Sequence, residues 1–128
     1  MGDERKIIRH FTDLEVWKQA HYLEMLVYSF TKKFPSSELF GLTSQLRRAS
    51  TSVSANIAEG MGRGSYSDRC RFYYNARGSI YEVESLSITS RDLGFIPSDT
   101  FIRAMGMIDS TRKLLHAFIS KTEELSGR

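Results

Sequence analysis

Six arginines, Arg47, Arg48, Arg63, Arg69, Arg71 and Arg77, fall between Gly41 and Arg77 against two acids, Glu59 and Asp68, a net charge of +4 for this stretch. The whole chain carries only +3, so the remainder sums to about −1. Arginine presents forked N–H donors that match phosphate or carboxylate oxygens two at a time. Aromatic residues interleave with these arginines: Tyr66, Phe72, Tyr73 and Tyr74. Aromatic rings stack on unpaired bases, so the composition is that of a nucleic-acid contact. The pattern predicts Arg47, Arg63, Arg69 and Arg71 on phosphates, with Tyr66 and either Tyr73 or Tyr74 stacking, while Phe72 and the other tyrosine face the core. Solvated helix faces laced with intramolecular ion pairs would produce the same composition.

A second constellation runs along one helix face. Gln45, Arg48 and Ser52 stand at i, i+3 and i+7, and Asn56 and Glu59 continue the stripe. Arg77, Tyr81 and Glu84 share a side further on, with Glu82 on another. Pairing of Arg48 or Arg77 with Glu59, Glu82 or Glu84 across neighbouring helices would fix helix register or a subunit seam.

Other chemistries find little here. Cys70 lies among arginines without a histidine beside it, so a catalytic thiol is not expected. His10, His21 and His116 lie far apart and lack an i,i+4 partner, and the Glu-x-x-His motifs of a di-iron bundle do not occur. The alternating glycines of Gly60–Ser65 follow a helical pattern and have no Lys-Ser/Thr ending, so they form neither a Walker loop nor a dinucleotide fingerprint. The expectation is a non-enzyme with no metal and no cofactor.

The elements that must position these residues are helical. At 128 residues and 41% hydrophobic content the chain has material for one domain with one core. Val16, Ala20, Leu23, Val27, Phe30 and Phe34 form one stripe, predicted to open with Thr12 as cap and to close at Pro35. Leu39, Leu42, Leu46, Ala49, Val53 and Ile57 form the next, from Ser36 or Ser37 to left-handed glycine caps at Gly60, Gly62 and Gly64. A third helix runs from Ser65 or Ser67 to about Leu93, with Gly94 beyond it, and a fourth starts with Ser98 as cap. No segment shows strand alternation, so the prediction is all-α, an antiparallel up-down-up-down four-helix bundle over residues 11–125. Residues 1–10 read as a flexible N-terminal segment. A signal peptide and a membrane span are not expected, which predicts a cytoplasmic protein.

Helix one carries a second apolar side: Leu14, Trp17, His21, Met25 and Tyr28. A bundle buries one face per helix, so Leu14, Trp17, Met25 and Tyr28 are predicted to meet another subunit; the alternative is that Trp17 only broadens the core stripe and the others are scattered exposed residues.

The run Gly41-Leu42, Gln45, Arg47-Arg48-Ala49, Ser52-Val53 and Asn56-Ile57-Ala58-Glu59-Gly60 is followed by Arg71-Phe72, Ala76-Arg77-Gly78-Ser79, Glu82 and Glu84. Together with Phe11-Thr12-Asp13-Leu14 and Val16-Trp17, it resembles the four-helix bundle proteins encoded within intervening sequences of bacterial 23S rRNA genes. The resemblance covers about Phe11 to Leu125. It implies a ring-like homopentamer, similar to the accessory variability determinants of diversity-generating retroelements, relatives that present basic surfaces to nucleic acid and to a reverse transcriptase. It brings a genomic address and no established biochemical activity. The residues and the resemblance together suggest an oligomeric bundle that binds RNA or DNA through an arginine-rich surface; the alternative is a protein-interaction scaffold without nucleic-acid binding.

Overall fold

The computed structural model describes residues 8–127; Met1–Ile7, which make up most of the segment expected to be flexible, lie outside the described residues. Four α-helices follow one another: α1 (Glu15–Thr31), α2 (Ser44–Met61), α3 (Tyr66–Asp92) and α4 (Ser98–Leu125). At 1.5 Å per residue they span about 25 to 42 Å.

Contacts across each pair run in opposite senses along the chain, which makes the neighbours antiparallel. Between α1 and α2, Glu24 meets Ser54, Tyr28 meets Thr51 and Thr31 meets Arg47. Between α2 and α3, Ser52 meets Ser79 and Gly60 meets Tyr73. Between α3 and α4, Tyr74 meets Glu123, Glu84 meets Arg112 and Arg91 meets Phe101. Helix α1 also packs on α4, closing the bundle.

The core follows the predicted stripes of the first two helices, with Ala20, Leu23, Val27, Leu46, Val53 and Ile57 buried, and α3 and α4 add Ala76, Ile80, Val83, Ile108 and Leu115. These positions recur at three and four residues, so each helix turns one seam inward. Ser65 caps α3 as expected, accepting from the Asp68 amide at 3.1 Å. Gly94 stands just past α3 at φ +81°, a left-handed conformation that suits glycine.

The helix ends differ from expectation in three places, besides α1 stopping at Thr31 short of Pro35. The chain enters α1 through a 3₁₀ turn, Phe11–Asp13, and it is the Asp13 carboxylate that accepts from the Arg9 and His10 amides, at 3.0 and 3.1 Å. The helix therefore begins after Leu14 rather than at Thr12, and those two bonds hold the Asp13 carboxyl below its ordinary value. Pro97, not Ser98, is the residue that caps α4, and the Ser98 hydroxyl makes no capping bond. The glycines after α2 are not left-handed, since Gly62 has φ −82°. Gly60 is instead required by packing: a Cβ there would lie 2.4 Å from the Tyr73 ring. A glycine on α2 thus lets α3 come close enough to seat a tyrosine in the core.

A fourth difference bears directly on the molecule's surface. The stretch before α2 is not regular α-helix but a 3₁₀ turn, Ser36–Glu38, followed by a five-residue turn, Leu39–Thr43, kinked at Gly41, whose φ −111° and ψ −115° lie outside the helical region. The kink at Gly41 interrupts the helical repeat, so the residues before it do not continue the α2 stripe. Leu39, predicted inward, is consequently half exposed, and Phe40 is 93% exposed.

Candidate nucleic-acid interface

The predicted arginine–aromatic cluster divides between two places. At the corner where α2 passes into α3, Asp68 and Glu59 receive the arginines. The Arg71 guanidinium donates twice to Asp68 Oδ1, at 2.9 and 3.1 Å. Arg63 lies 3.5 Å from Glu59 and 3.8 Å from Asp68. Both Arg63 and Arg71 place their guanidinium carbons over the Phe72 ring, at 4.4 and 4.6 Å from its centre. Arg69 donates through Nε to the Arg63 carbonyl and covers Tyr66. These side chains fasten the corner: rings attract cations above their faces, and the two carboxylates offset much of the local positive charge.

Of the tyrosines, Tyr73 is the one that enters the core, 1% exposed and against Phe118, so it offers no stacking face. Burial pushes its hydroxyl up to about 12. Tyr74 is half-buried, donates to Glu123 on α4 and carries the Arg77 guanidinium over its ring. Tyr66 remains exposed under Arg69.

The second place is an open groove of about 470 Å³ beside the first turns of α2. Tyr28, Leu39 and Phe40 supply its apolar surface, and Thr43, Ser44 and Thr51 its hydroxyls. Arg47 and Arg48 supply its charge. Arg47 Nε donates to Thr31 Oγ1 at 2.9 Å while its guanidinium lies over the Tyr28 ring at 4.9 Å. Among the described residues no acid lines the groove, and the ion pairs involve neither Arg47 nor Arg48. The exposed Lys32 and Lys33 follow Thr31 directly and add to the positive charge of this end.

The polar stripe does not form one network. Asn56 donates within α2, to the Ser52 carbonyl and hydroxyl, and Ser79 of α3 donates to that hydroxyl at 2.9 Å. Glu59 pairs with Arg63, Glu84 pairs with Arg112 of α4 at 2.9 Å, and Gln45, Arg48 and Glu82 are exposed. Neither Arg48 nor Arg77 is the ion-pair partner of Glu59 or Glu84, because α4 supplies the arginine nearest Glu84 and the α2–α3 connection supplies the one nearest Glu59. Arg112 also pairs with Asp109 and lies over Tyr81. Beside the Arg47–Thr31 and Tyr28–Thr51 contacts, Glu24 links α1 to α2, accepting from Thr51 and Ser54 at 3.0 and 2.8 Å. Only its placement opposite two hydroxyls on the next helix marks it, and that needs the fold to be seen.

The second apolar side of α1 is narrower than predicted. Leu14 is buried within the chain's own core, so it is unavailable to a partner. Trp17 is half-buried, edge-on to Phe11 at 5.2 Å and stacked on His21 at 4.9 Å. Met25 and Tyr28 are exposed, and Tyr22, which the stripe omitted, joins them.

Among the described residues no group of three His, Cys, Asp or Glu side chains is placed to hold a metal ion, and no helix is long and apolar enough to cross a membrane. What the fold defines is a small four-helix bundle protein whose polar chemistry is spread over outer helix faces. The chain belongs to the 23S rRNA-intervening sequence protein family, whose model matches residues 12–117. It is similar in fold to the crystal structure of a protein with unknown function from the S23 ribosomal protein family of Bacteroides thetaiotaomicron VPI-5482. That likeness has a TM-score of 0.73 at 20% identity, over 81% of this chain and 97% of the other. No curated protein matches the chain.

Proposed function

We propose that this protein is a non-enzymatic cytoplasmic bundle that associates with copies of itself and binds RNA or DNA through its arginine-bearing surface. The observation that carries the reading is the groove beside α2, where Arg47 and Arg48 stand among hydroxyls and rings with no acid in the lining. A cationic surface without built-in counterions is the arrangement that gains most from neutralising phosphates, because bound cations are released from the nucleic acid. Arg71, whose side chain is 63% exposed, adds a weaker phosphate contact beside its pairing to Asp68. Arg63 and Arg69 serve mainly to hold the corner.

Self-association uses the outer face of α1, where Tyr22, Met25 and Tyr28 lie exposed. A pentameric ring, as the family resemblance implies, would repeat the groove around its circumference and raise avidity without new contacts.

Fluorescence anisotropy of labelled RNA tests the reading. Binding at about 50 mM salt that weakens steeply as salt rises supports it. Absence of binding to RNA and DNA at that salt overturns it, and leaves the scaffold reading. Light scattering tests self-association separately: a monomer at tens of micromolar removes the role given to Tyr22, Met25 and Tyr28.

A further inference from the structure

The feature least explained by folding is Phe40. A ring exposed this fully contributes almost nothing to the core, yet the chain departs from regular helix to present it. Glu38 accepts the Leu42 amide at 3.2 Å, closing the turn from below. A Cβ at Gly41 would lie 2.7 Å from that same carboxylate, so the glycine and the acid shape the turn together.

Phe40 does not stand alone. It shares its groove with Arg47 and Arg48, and with the Tyr28 ring lying under the Arg47 guanidinium. Because Arg47 spends Nε on Thr31, its two terminal amino groups are what it can offer a phosphate. An exposed ring next to two unpaired guanidiniums, in a lining with no carboxylate among the described residues, is complementary to an anion that carries its own flat apolar faces. Unpaired nucleotides have that character. A duplex hides its bases from such a ring, and an acidic peptide offers charge without the flat faces.

We propose that this groove binds single-stranded nucleic acid, with a base stacked on Phe40 and the adjoining phosphates held by Arg47 and Arg48. The assignment rests on the nucleic-acid reading given above and narrows it to one site and one form of ligand. The kinked turn at Gly41 is the presenting device that holds the ring out from the bundle.

The test compares three labelled probes by anisotropy: an oligo(U) of about a dozen nucleotides, a duplex of the same length, and an oligoglutamate of equal charge. Phe40→Ala should weaken oligo(U) binding about tenfold and leave duplex binding unchanged, since stacking is lost and charge is not. Phe40→Trp should retain the affinity, and its added fluorescence should be quenched by oligo(U), read against the wild-type signal of Trp17. Equal oligo(U) affinity for wild type and Phe40→Ala overturns the assignment while leaving nucleic-acid binding standing. Equal losses for oligo(U) and oligoglutamate also overturn it and make the groove an acidic-peptide site. A smaller mass for Phe40→Ala in light scattering, with oligo(U) binding intact, overturns it in favour of a subunit contact. If the wild-type protein binds no nucleic acid, the broader reading fails first.

Discussion

The corner between α2 and α3 and the groove beside the first turns of α2 both bring arginine to aromatic rings, but they spend it differently. At the corner, Arg63 and Arg71 share the Phe72 ring and answer to Glu59 and Asp68. In the groove, Arg47 lies on Tyr28, Arg48 is exposed, and among the described residues neither enters an ion pair and no acid lines the groove, the nearby Glu24 being bonded to the Thr51 hydroxyl. Charge counted along the chain makes the corner look like the stronger polyanion site. Charge counted in space favours the groove, because a carboxylate at about 3 Å cancels a guanidinium more completely than distant residues can restore it. The lesson is that arginine density marks where guanidiniums are made, and their partners decide what remains for a ligand.

If the corner is structural and the groove is not, substitutions in the two should separate by stability. Gly60→Ala forces a Cβ into the Tyr73 ring and should cost about 2–3 kcal/mol, whereas Phe40→Ala should change stability by less than about 0.5 kcal/mol. Thermal melts of the two variants check this, and equal melting temperatures would erase the distinction. The corner's buried tyrosine makes a further difference with pH. Tyr73 titrates near 12 in the folded chain against 10.0 when free, so its contribution is fully present below pH 10 and is lost as pH rises toward 12. That loss reaches about 2–3 kcal/mol, and Tyr73→Phe should flatten this part of the alkaline stability profile. The smallest effect sharpens the comparison from the other side. Asp68→Asn releases Arg71 and Arg63 from their shared carboxylate and should raise RNA affinity at low salt by a few fold, the equivalent of about 1 kcal/mol or less. Anisotropy titrations check it; an unchanged affinity would mean the corner lies outside the bound surface altogether.

Much of the fold is legible in the chain because helical seams repeat at three and four residues and their ends carry recognisable chemistry. Ser65 and Gly94 act at positions the sequence offers, and the stripes from Val16 to Phe34 and from Leu46 to Ile57 point into one core. The turn at Leu39–Thr43 was not legible. A kink at Gly41 leaves the composition of the segment unchanged while turning Leu39 and Phe40 out of the seam. The glycine after Phe40 is the one local sign that the helix breaks there. For the candidate site, residue types were readable and partners were not. Whether Tyr73 or Tyr74 turns inward depends on the space that Gly60 opens on another helix. Glu84 finds Arg112 from 28 residues away, a pairing that no local spacing on α3 announces.

The central claim, that the groove rather than the corner presents free positive charge, is tested most directly by the salt dependence of RNA binding in two double variants. Arg47→Ala/Arg48→Ala should weaken binding by tenfold or more and lower the slope of log affinity against log salt by about two. Arg63→Ala/Arg71→Ala should lower that slope by one or less, since those guanidiniums are partly neutralised within the chain. The reverse order, with the corner variant losing more affinity and more slope than the groove variant, would contradict the account.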